Sequence, residues 1–489
     1  MIDESALVPR GVRALGLDDF SFFGFDGLTR EIKIKQRFRQ VEIRSGTPGV
    51  SIVEDAVYVP EELTGKGAQR GEIVQNLLDS SAVAADQYAH EINEEVVYLG
   101  WLFDHFGHFL MQSLARTWYL TDVSPSVRVV FDPPSSASRQ SAGWMQRILE
   151  AFGVPPERIL VLNAPTRLRR LIIPEPLFEP RGIAHDHVVR AHEAMARPYQ
   201  AVAERIAADT TPSEQPVYLS RRLLPPSQRT IVGEEELEEV LRANGFRIAH
   251  TETMTFEDQV RLVNEHVDIF SNAGSAAHNV LFSLHQPRLH LLTNGLQFSP
   301  DYFMYSIIVG APTSFINCLS TGERPRFERA HKQTPHLLDT PKLLEYLDQR
   351  GFLTTPMPAW PVGYRKELQA RYDEAWLYGY IRALKQRGAL PADVEREALS
   401  LASSSWPVSL ALARFYTHHD RQRADSLARQ FAHLAAAETD VDQLARYRAE
   451  VADMAPTLVR GCSPETAARL HDVATDRFHV ALASKEELP

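Results

Sequence analysis

Short apolar segments alternate with amphipathic segments of helical length between residues 217 and 292. The apolar segments predict strands and the amphipathic segments predict helices. The predicted strands are 217–220, 246–249, 267–270 and 288–292, and the predicted helices are 234–243, 256–265 and 275–284. Such a run of βαβ units predicts an α/β fold with a parallel sheet. Because ligands bind at the carboxyl ends of strands in these sheets, the residues after each strand are candidates for a site.

The segment 266–282 combines a buried strand, a turn of small residues at 272–275 and a helix that opens with Ser275. The first N–H groups of a helix lack intrahelical partners and carry partial positive charge, which suits a phosphate. Gly274 belongs to this turn, and His278 and Asn279 lie in the first helical turn, within reach of a ligand. Small residues equally suit tight packing of a helix on a sheet, so the turn alone leaves both interpretations open.

Arginine side chains follow the first of these strands. Ser220, Arg221 and Arg222 come directly after it, and Arg229 follows a Pro-Pro pair at 225–226 that stiffens the loop. Guanidinium groups bind phosphates through paired hydrogen bonds, so this loop predicts a second half of a nucleotide-diphosphate pocket. If the turn at 272–275 is left aside, the same arginines are interpreted as charges on the protein surface. The sequence contains neither a GxGxxG nor a Walker A pattern, which argues against a nicotinamide-dependent enzyme.

A helix predicted over 105–120 has a polar stripe on one side. At 100° per residue, its two histidines, one glutamine and one arginine fall within a wedge of about 80°; they are His105, His108, Gln112 and Arg116. The functional interpretation is a general base beside a group that orients the substrate or stabilises charge. The alternatives are a solvated helix face or a pair of metal ligands, for which the sequence shows no third ligand.

Two further patterns have the spacing of metal ligands. Asp440 and Asp442 stand at a predicted helix start, where a capping role is expected. His185, His187 and His192 are not completed by a carboxylate or thiol into a convincing site. We therefore predict no bound metal.

The composition limits the function classes. A net charge of −11 argues against nucleic acid as a partner. Cys318 and Cys462 are far apart in the sequence and suit a reducing compartment. The sequence shows no signal peptide and no apolar run near the ~20 residues that span a bilayer. We expect a cytoplasmic protein, with peripheral contact at the inner face of the cell membrane as a further expectation.

The pattern of strands and helices predicts four regions. Residues 1–207 form an N-terminal α/β domain and 208–325 a second α/β domain that binds the nucleotide. Residues 326–362 are a linker rich in Pro, Arg and Thr, and 363–489 have helical spacing without strand signals. The helical region is a candidate for contact with a membrane or a protein partner.

Taken together, these patterns resemble glycosyltransferase family 61, especially bacterial members linked to capsule or other surface polysaccharides. The family motifs are matched by Gly107-His108 with Gln112 and Arg116, by Ser220-Arg221 with Arg229 and the acidic helix at 234–237, and by Phe256, Gln259, Gly274-Ser275 and 278–282. The sequence departs from the usual motifs at three positions. Gln112 replaces an acidic residue, Ala273 a histidine and Gly233 an asparagine.

The resemblance implies a GT-B-like pair of Rossmann-like domains with a C-terminal α-helical extension. It implies an inverting, metal-independent transferase, without cofactor, that moves a sugar from a nucleotide-sugar donor, expected to be UDP-linked. The acceptor is a glycan or glycolipid in capsule, lipopolysaccharide or other surface polysaccharide biosynthesis. The implied catalytic residues are His108 as first choice of base, His105 as second, and Arg116; the implied donor-binding residues are Ser220, Arg221, Arg229, Gly274, Ser275, His278 and Asn279.

The departures from the motifs leave a second function open. A family member without catalytic activity could bind glycans or act as a scaffold through 363–489. This alternative predicts nucleotide-sugar binding without turnover, whereas the first predicts transfer.

Overall fold

The structure is a computed structural model. The residues it describes are 20–25, 42–44, 49–58, 77–78, 88–103, 105–121, 123–132, 143–176, 178–179, 183–185, 192–228, 230–295, 302, 308–321, 324, 334–356, 362–384, 389–417 and 419–480. The chain divides into two compact units. The first comprises residues 1–219 and 245–317, and the second comprises 220–244 and 318–489. This grouping differs from the domains predicted from the sequence, whose boundaries remain a prediction.

The strands are β1 (Phe20–Phe23), β2 (Glu42–Arg44), β3 (Val50–Tyr58), β4 (Leu77–Leu78), β5 (His90–Trp101), β6 (Arg128–Asp132), β7 (Ile159–Val161), β8 (Thr166–Pro174), β9 (Phe178–Glu179), β10 (Ile183–His185), β11 (Val217–Ser220), β12 (Ile231–Val232), β13 (Arg247–His250), β14 (Asp268–Asn272), β15 (Arg288–Thr293), β16 (Thr313–Asn317), β17 (Leu319–Ser320) and β18 (His336–Leu338).

The α-helices are α1 (Phe106–His108), α2 (Gly143–Ala151), α3 (His192–Ala207), α4 (Glu234–Ala243), α5 (Phe256–Glu265), α6 (Thr340–Gln349), α7 (Tyr364–Ala383), α8 (Ala392–Ala402), α9 (Trp406–Tyr416), α10 (Arg421–Ala437), α11 (Val441–Gly461) and α12 (Pro464–Phe478). A 3₁₀ helix spans Ser275–Phe282, and a π-helix spans Phe109–Ser113. The mixed α/β class predicted from the sequence is confirmed.

The first unit contains two six-stranded sheets. One has the order β1-β16-β15-β14-β11-β13, and the pairs β1–β16, β16–β15, β15–β14 and β14–β11 are parallel. Leu219 pairs with Ser271 and Asn272 pairs with Leu292, so three neighbouring strands end at one edge of the sheet. The parallel sheet predicted from the alternation at 217–292 is therefore present.

The other sheet of the first unit has the order β4-β3-β8-β5-β6-β7. Strand β5 is central and runs parallel to both β6 and β8, whereas β3 joins the sheet antiparallel to β8. Apolar residues of both sheets share one core, with Leu99 and Phe131 from this sheet and Leu219 and Ile269 from the first. The shared core fixes the two sheets against each other within the unit.

The second unit contains the helices from α6 to α12, helix α4 and a small sheet of β12, β18 and β17. Its core is built around Trp406, whose ring centroid lies 4.7 Å from that of Tyr447 and 5.4 Å from that of Phe478. The helical character predicted for 363–489 is confirmed over the part the structure describes. Asp440 accepts a hydrogen bond from the Gln443 N–H at the start of α11, as the capping interpretation predicted.

The helix predicted over 105–120 is wrong as a continuous α-helix. The chain makes only the short α1, then the π-helix Phe109–Ser113 and a 3₁₀ turn at Thr117–Thr121. Two side chains bond to the local backbone: the Ser113 hydroxyl donates to the Trp101 carbonyl, and the Tyr199 hydroxyl donates to the Leu110 carbonyl. The bond from Tyr199 takes up a carbonyl within the segment 105–120 and so competes with regular α-helical hydrogen bonding there.

The helix predicted over 275–284 is a 3₁₀ helix that ends at Phe282. Asn264 explains the end point, because its side-chain amide donates to the Phe282 carbonyl and its oxygen accepts from the Leu284 N–H. One side chain on α5 therefore satisfies backbone groups that would otherwise continue the helix. At the start of α5, Thr255 caps the helix, since its hydroxyl oxygen accepts from the Asp258 N–H at 3.1 Å.

Candidate active site

The turn at 272–275 lies at the carboxyl edge of the parallel sheet in the first unit. Strand β14 ends at Asn272, and Gly274 continues in an extended conformation into the 3₁₀ helix that begins with Ser275. The Ala273 N–H donates to the Leu292 carbonyl, which ties the turn to the next strand. The phosphate site predicted at the start of this helix therefore lies at the edge where the strands end, and its role in binding the donor remains a prediction.

The segment carrying His108 packs directly on this turn. A Cβ built on Gly107 would stand 3.1 Å from Ser275 Oγ and 3.2 Å from His278 Cε1. Those distances are tighter than ordinary van der Waals contacts, so a larger residue at 107 would push the Ser275 and His278 side chains aside by a few tenths of an ångström. The structure thus brings together His105, His108, Ser275 and His278, which the sequence assigned to opposite halves of the reaction.

The two histidines of the motif have different surroundings. The N–H of His108 points at Nδ1 of His105 over 3.5 Å, so His105 is the N-cap of α1 and its neutral ring carries the proton on Nε2. The ring of His108 is half-buried between His105, at 4.9 Å between centroids, and Phe103, at 5.5 Å. Because the basic nitrogen of His105 serves as a cap, His108 is better placed to accept a proton from a substrate.

His278 lies beneath this pair and is almost fully buried. Its Nδ1 is 3.1 Å from the Ser275 carbonyl oxygen, to which it donates. Burial lowers the pKa of His278 to about 4; the hydrogen bond to Ser275 raises it, and the neighbouring His105 and His108 lower it. His278 is therefore a neutral hydrogen-bonding group that shapes the turn.

We expect the free energy of unfolding to depend on pH through His278. Between pH 6.5 and 4 the unfolded chain protonates this histidine and the folded chain does not, so stability falls as the pH falls. The effect amounts to about 2 to 3 kcal/mol between pH 6.5 and 4.5. Urea unfolding of wild type and His278→Gln at pH 7 and 4.5 measures it. The variant should lose less stability on acidification, and an equal loss in both proteins would contradict the assignment.

Asn279 is held by a motif residue of helix α5. Its side-chain amide donates to Gln259 Oε1 at 2.9 Å, and Gln259 in turn donates to the Thr251 carbonyl. Phe282 packs on Phe256, with 5.1 Å between ring centroids. The Phe-x-x-Gln and Asn-x-Leu-Phe patterns thus form one support for the turn. Gln259 was absent from the predicted site, although the polar spacing on α5 was visible in the sequence.

Arg116 lies outside the helix on which it was predicted. Its Nε donates to the Pro174 carbonyl at 2.9 Å, and its guanidinium carbon stands 5.8 Å from the centre of the Tyr98 ring. A Cβ on Gly100, whose φ is +105°, would come within 3.0 Å of its guanidinium. These contacts support strands β5 and β8, and the catalytic role of Arg116 remains a prediction.

The loop after β11 belongs to the second unit. The buried Ser220 hydroxyl donates to Glu238 at 2.6 Å, and the Arg221 N–H donates to Glu234 at 2.9 Å. The Arg221 guanidinium donates to the Gln228 carbonyl. Arg229 lies outside the described residues. The donor-binding role of Ser220, Arg221 and Arg229 stays a prediction.

The remaining candidates are two cysteines and a group of histidines. Cys318 and Cys462 are both buried. Over the residues that the structure describes, no group of three or more His, Cys, Asp or Glu side chains could hold a metal ion. The side chains of His185, His187 and His192 fall outside those residues. None of the described helices is both long enough and apolar enough to cross a membrane.

The part of the chain that contains this site matches a family of known proteins. Residues 106–291 match the model of the family Glycosyltransferase 61, a segment that begins at the His108 motif and contains the turn at Ser275. No curated protein matches the chain. Over residues 106–291 the chain is similar to glycosyltransferase family 61, and this similarity supports a glycosyltransferase.

Proposed function

We propose that the protein is an inverting, metal-independent glycosyltransferase. It moves a sugar from a nucleotide-sugar donor, UDP-linked by expectation, to a glycan or glycolipid acceptor. The observation that carries the proposal is the contact of Gly107 with Ser275 and His278, which joins a basic histidine to the start of a helix. A displacement at an anomeric carbon needs a base near the acceptor hydroxyl and positive charge near the departing diphosphate.

In the proposed reaction, His108 takes the proton of the acceptor hydroxyl. The acceptor oxygen forms a bond to the anomeric carbon as the bond from that carbon to the diphosphate oxygen breaks. The N–H groups at the start of the Ser275–Phe282 helix stabilise the negative charge that develops on the diphosphate. Neutral His278 adds no charge of its own and keeps the turn in place through its bond to Ser275.

The proposal includes a GT-B-like pair of α/β domains and a role in capsule, lipopolysaccharide or other bacterial surface polysaccharide biosynthesis at the cytoplasmic face of the membrane. The two six-stranded sheets of the first unit support the GT-B-like pair of α/β domains. The His108 segment follows β5 of one sheet, and the Ser275 turn follows β14 of the other. The resemblance of the motifs to bacterial family members supports the role in surface polysaccharide biosynthesis.

A thermal-shift screen with UDP, GDP and CMP and with sugars linked to each nucleotide tests the proposal. A ligand at 100 times its dissociation constant should stabilise the fold by about 2.7 kcal/mol, which raises the unfolding temperature measurably. The nucleotide that binds then selects the donors for a transfer assay with glycan acceptors. If no nucleotide or nucleotide sugar raises the unfolding temperature, the proposal is wrong.

A further inference from the structure

The second unit contains a cavity of its own, with a volume of about 310 Å³. Strand β12 and the start of α4 line one side, and helices α7 and α11 line the other. Small-molecule pockets in proteins begin at about this volume. The helical region is therefore part of the wall of a pocket, together with the loop that follows β11.

The charged groups around this cavity are of both signs and largely paired. Its lining includes five carboxylates and three guanidinium groups; they are Glu234, Glu235, Glu374, Asp440, Asp442, Arg222, Arg371 and Arg446. Arg222 binds Asp442 at 2.7 Å, and Arg446 donates to the Thr230 hydroxyl at 2.6 Å. Arg371 is paired with Glu236. The excess of carboxylates disfavours an anionic ligand, and the pairing of Glu235 and Asp442 with Arg222 leaves less uncompensated negative charge for a cationic one.

Two lining residues offer hydrogen-bonding groups to an occupant. Tyr447 is 8% exposed, and its hydroxyl has no hydrogen-bond partner among the residues described in the structure. Its ring is fixed edge-on to Trp406 and to Tyr378. One carboxylate oxygen of Glu374 accepts from the Ser405 hydroxyl, and burial raises the pKa of Glu374. A hydroxyl on the wall of the cavity can both donate a hydrogen bond to a ligand and accept one from it.

We infer that this cavity binds a neutral polyhydroxyl ligand, one or two sugar rings of a glycan, through Tyr447 and Glu374. Sugar hydroxyls both donate and accept hydrogen bonds, which matches a lining of paired carboxylates, guanidinium groups and a tyrosine hydroxyl. The site lies wholly within the second unit, so binding there can be measured whether or not transfer occurs.

Saturation-transfer-difference NMR on the full chain tests the inference, with the methyl glycosides of glucose, galactose, mannose, rhamnose and N-acetylglucosamine as probes. We expect at least one to bind, and Tyr447→Phe and Glu374→Gln each to weaken it about threefold to tenfold, the effect of one hydrogen bond. Glu367→Gln is the matched control, because it makes the same change on an exposed residue of α7 outside the cavity.

Tyr447→Phe removes only an oxygen without a described partner, so this variant should unfold at the wild-type temperature. Inorganic phosphate and UDP, added as competitors, should not displace the sugar. The inference is overturned if no glycoside binds, if both variants bind as tightly as wild type, or if phosphate displaces the sugar from the site.

Discussion

Replacing His108 with alanine is expected to lower kcat for sugar transfer by about 10²–10⁴-fold, the usual contribution of a positioned general base. The ring of His108 is half-buried beside the turn at Ser275, and it is the histidine of the pair whose basic nitrogen is not used as a helix cap. The binding of the donor should change little, because the lost group acts on the acceptor. Steady-state kinetics with the donor found in the thermal-shift screen measure both quantities.

His105→Asn is the matched control for this prediction. Asparagine is a good N-cap, so this variant retains the bond to the His108 N–H while removing an imidazole from the same site. We expect it to retain most of the activity. If His105→Asn lowers kcat as much as His108→Ala, or if His108→Ala is fully active, then His108 is not the base.

Gly107→Val is expected to reduce transfer to the level of the His108→Ala variant and to destabilise the fold by about 1–3 kcal/mol, as overpacking commonly does. A Cβ alone would already stand 3.1 Å from Ser275 Oγ, and the two methyl groups of valine extend further into the same contact. The Gly107 segment must then move away from the turn. This movement separates His108 from the proposed diphosphate-binding site at the start of the Ser275–Phe282 helix. Gly107→Ala should give a smaller effect in the same direction on activity.

Gly143→Val provides the control, because a Cβ at Gly143 would meet no atom within 4 Å and this glycine also begins a helix. Chemical denaturation and the transfer assay should show a near-normal protein. Wild-type activity in Gly107→Val would mean that the close approach of the two segments does not matter for the reaction.

Local patterns gave much of the fold correctly. The alternation at 217–292 predicted β11, β14 and β15 to within about two residues, a usual margin for element ends. The Thr255 cap, the Asp440 cap and the helical character of 363–489 also follow from short-range rules, because each depends on residues three or four positions apart. The Gly274-Ser275 turn was recognisable for the same reason.

Contacts between distant residues decided the rest. The helix predicted over 105–120 is broken because Tyr199, 89 positions away, binds the Leu110 carbonyl. Arg222 is held by Asp442, 220 positions away, which no local pattern indicates. Gly107 stood in a recognised motif, yet its role emerges only from the packing of the Ser275 turn against it. Periodicity cannot reveal such pairings, since they depend on the tertiary fold.

The central claim is that the start of the Ser275–Phe282 helix seats the donor diphosphate. Isothermal titration of UDP, GDP and CMP into wild type and Ser275→Asp tests it most directly, with Ser126→Asp on an exposed loop as control. The nucleotide that binds wild type should bind Ser275→Asp at least about tenfold more weakly, because a carboxylate at this position repels the phosphates. The control should bind normally. Equal affinity of wild type and Ser275→Asp would contradict the claim.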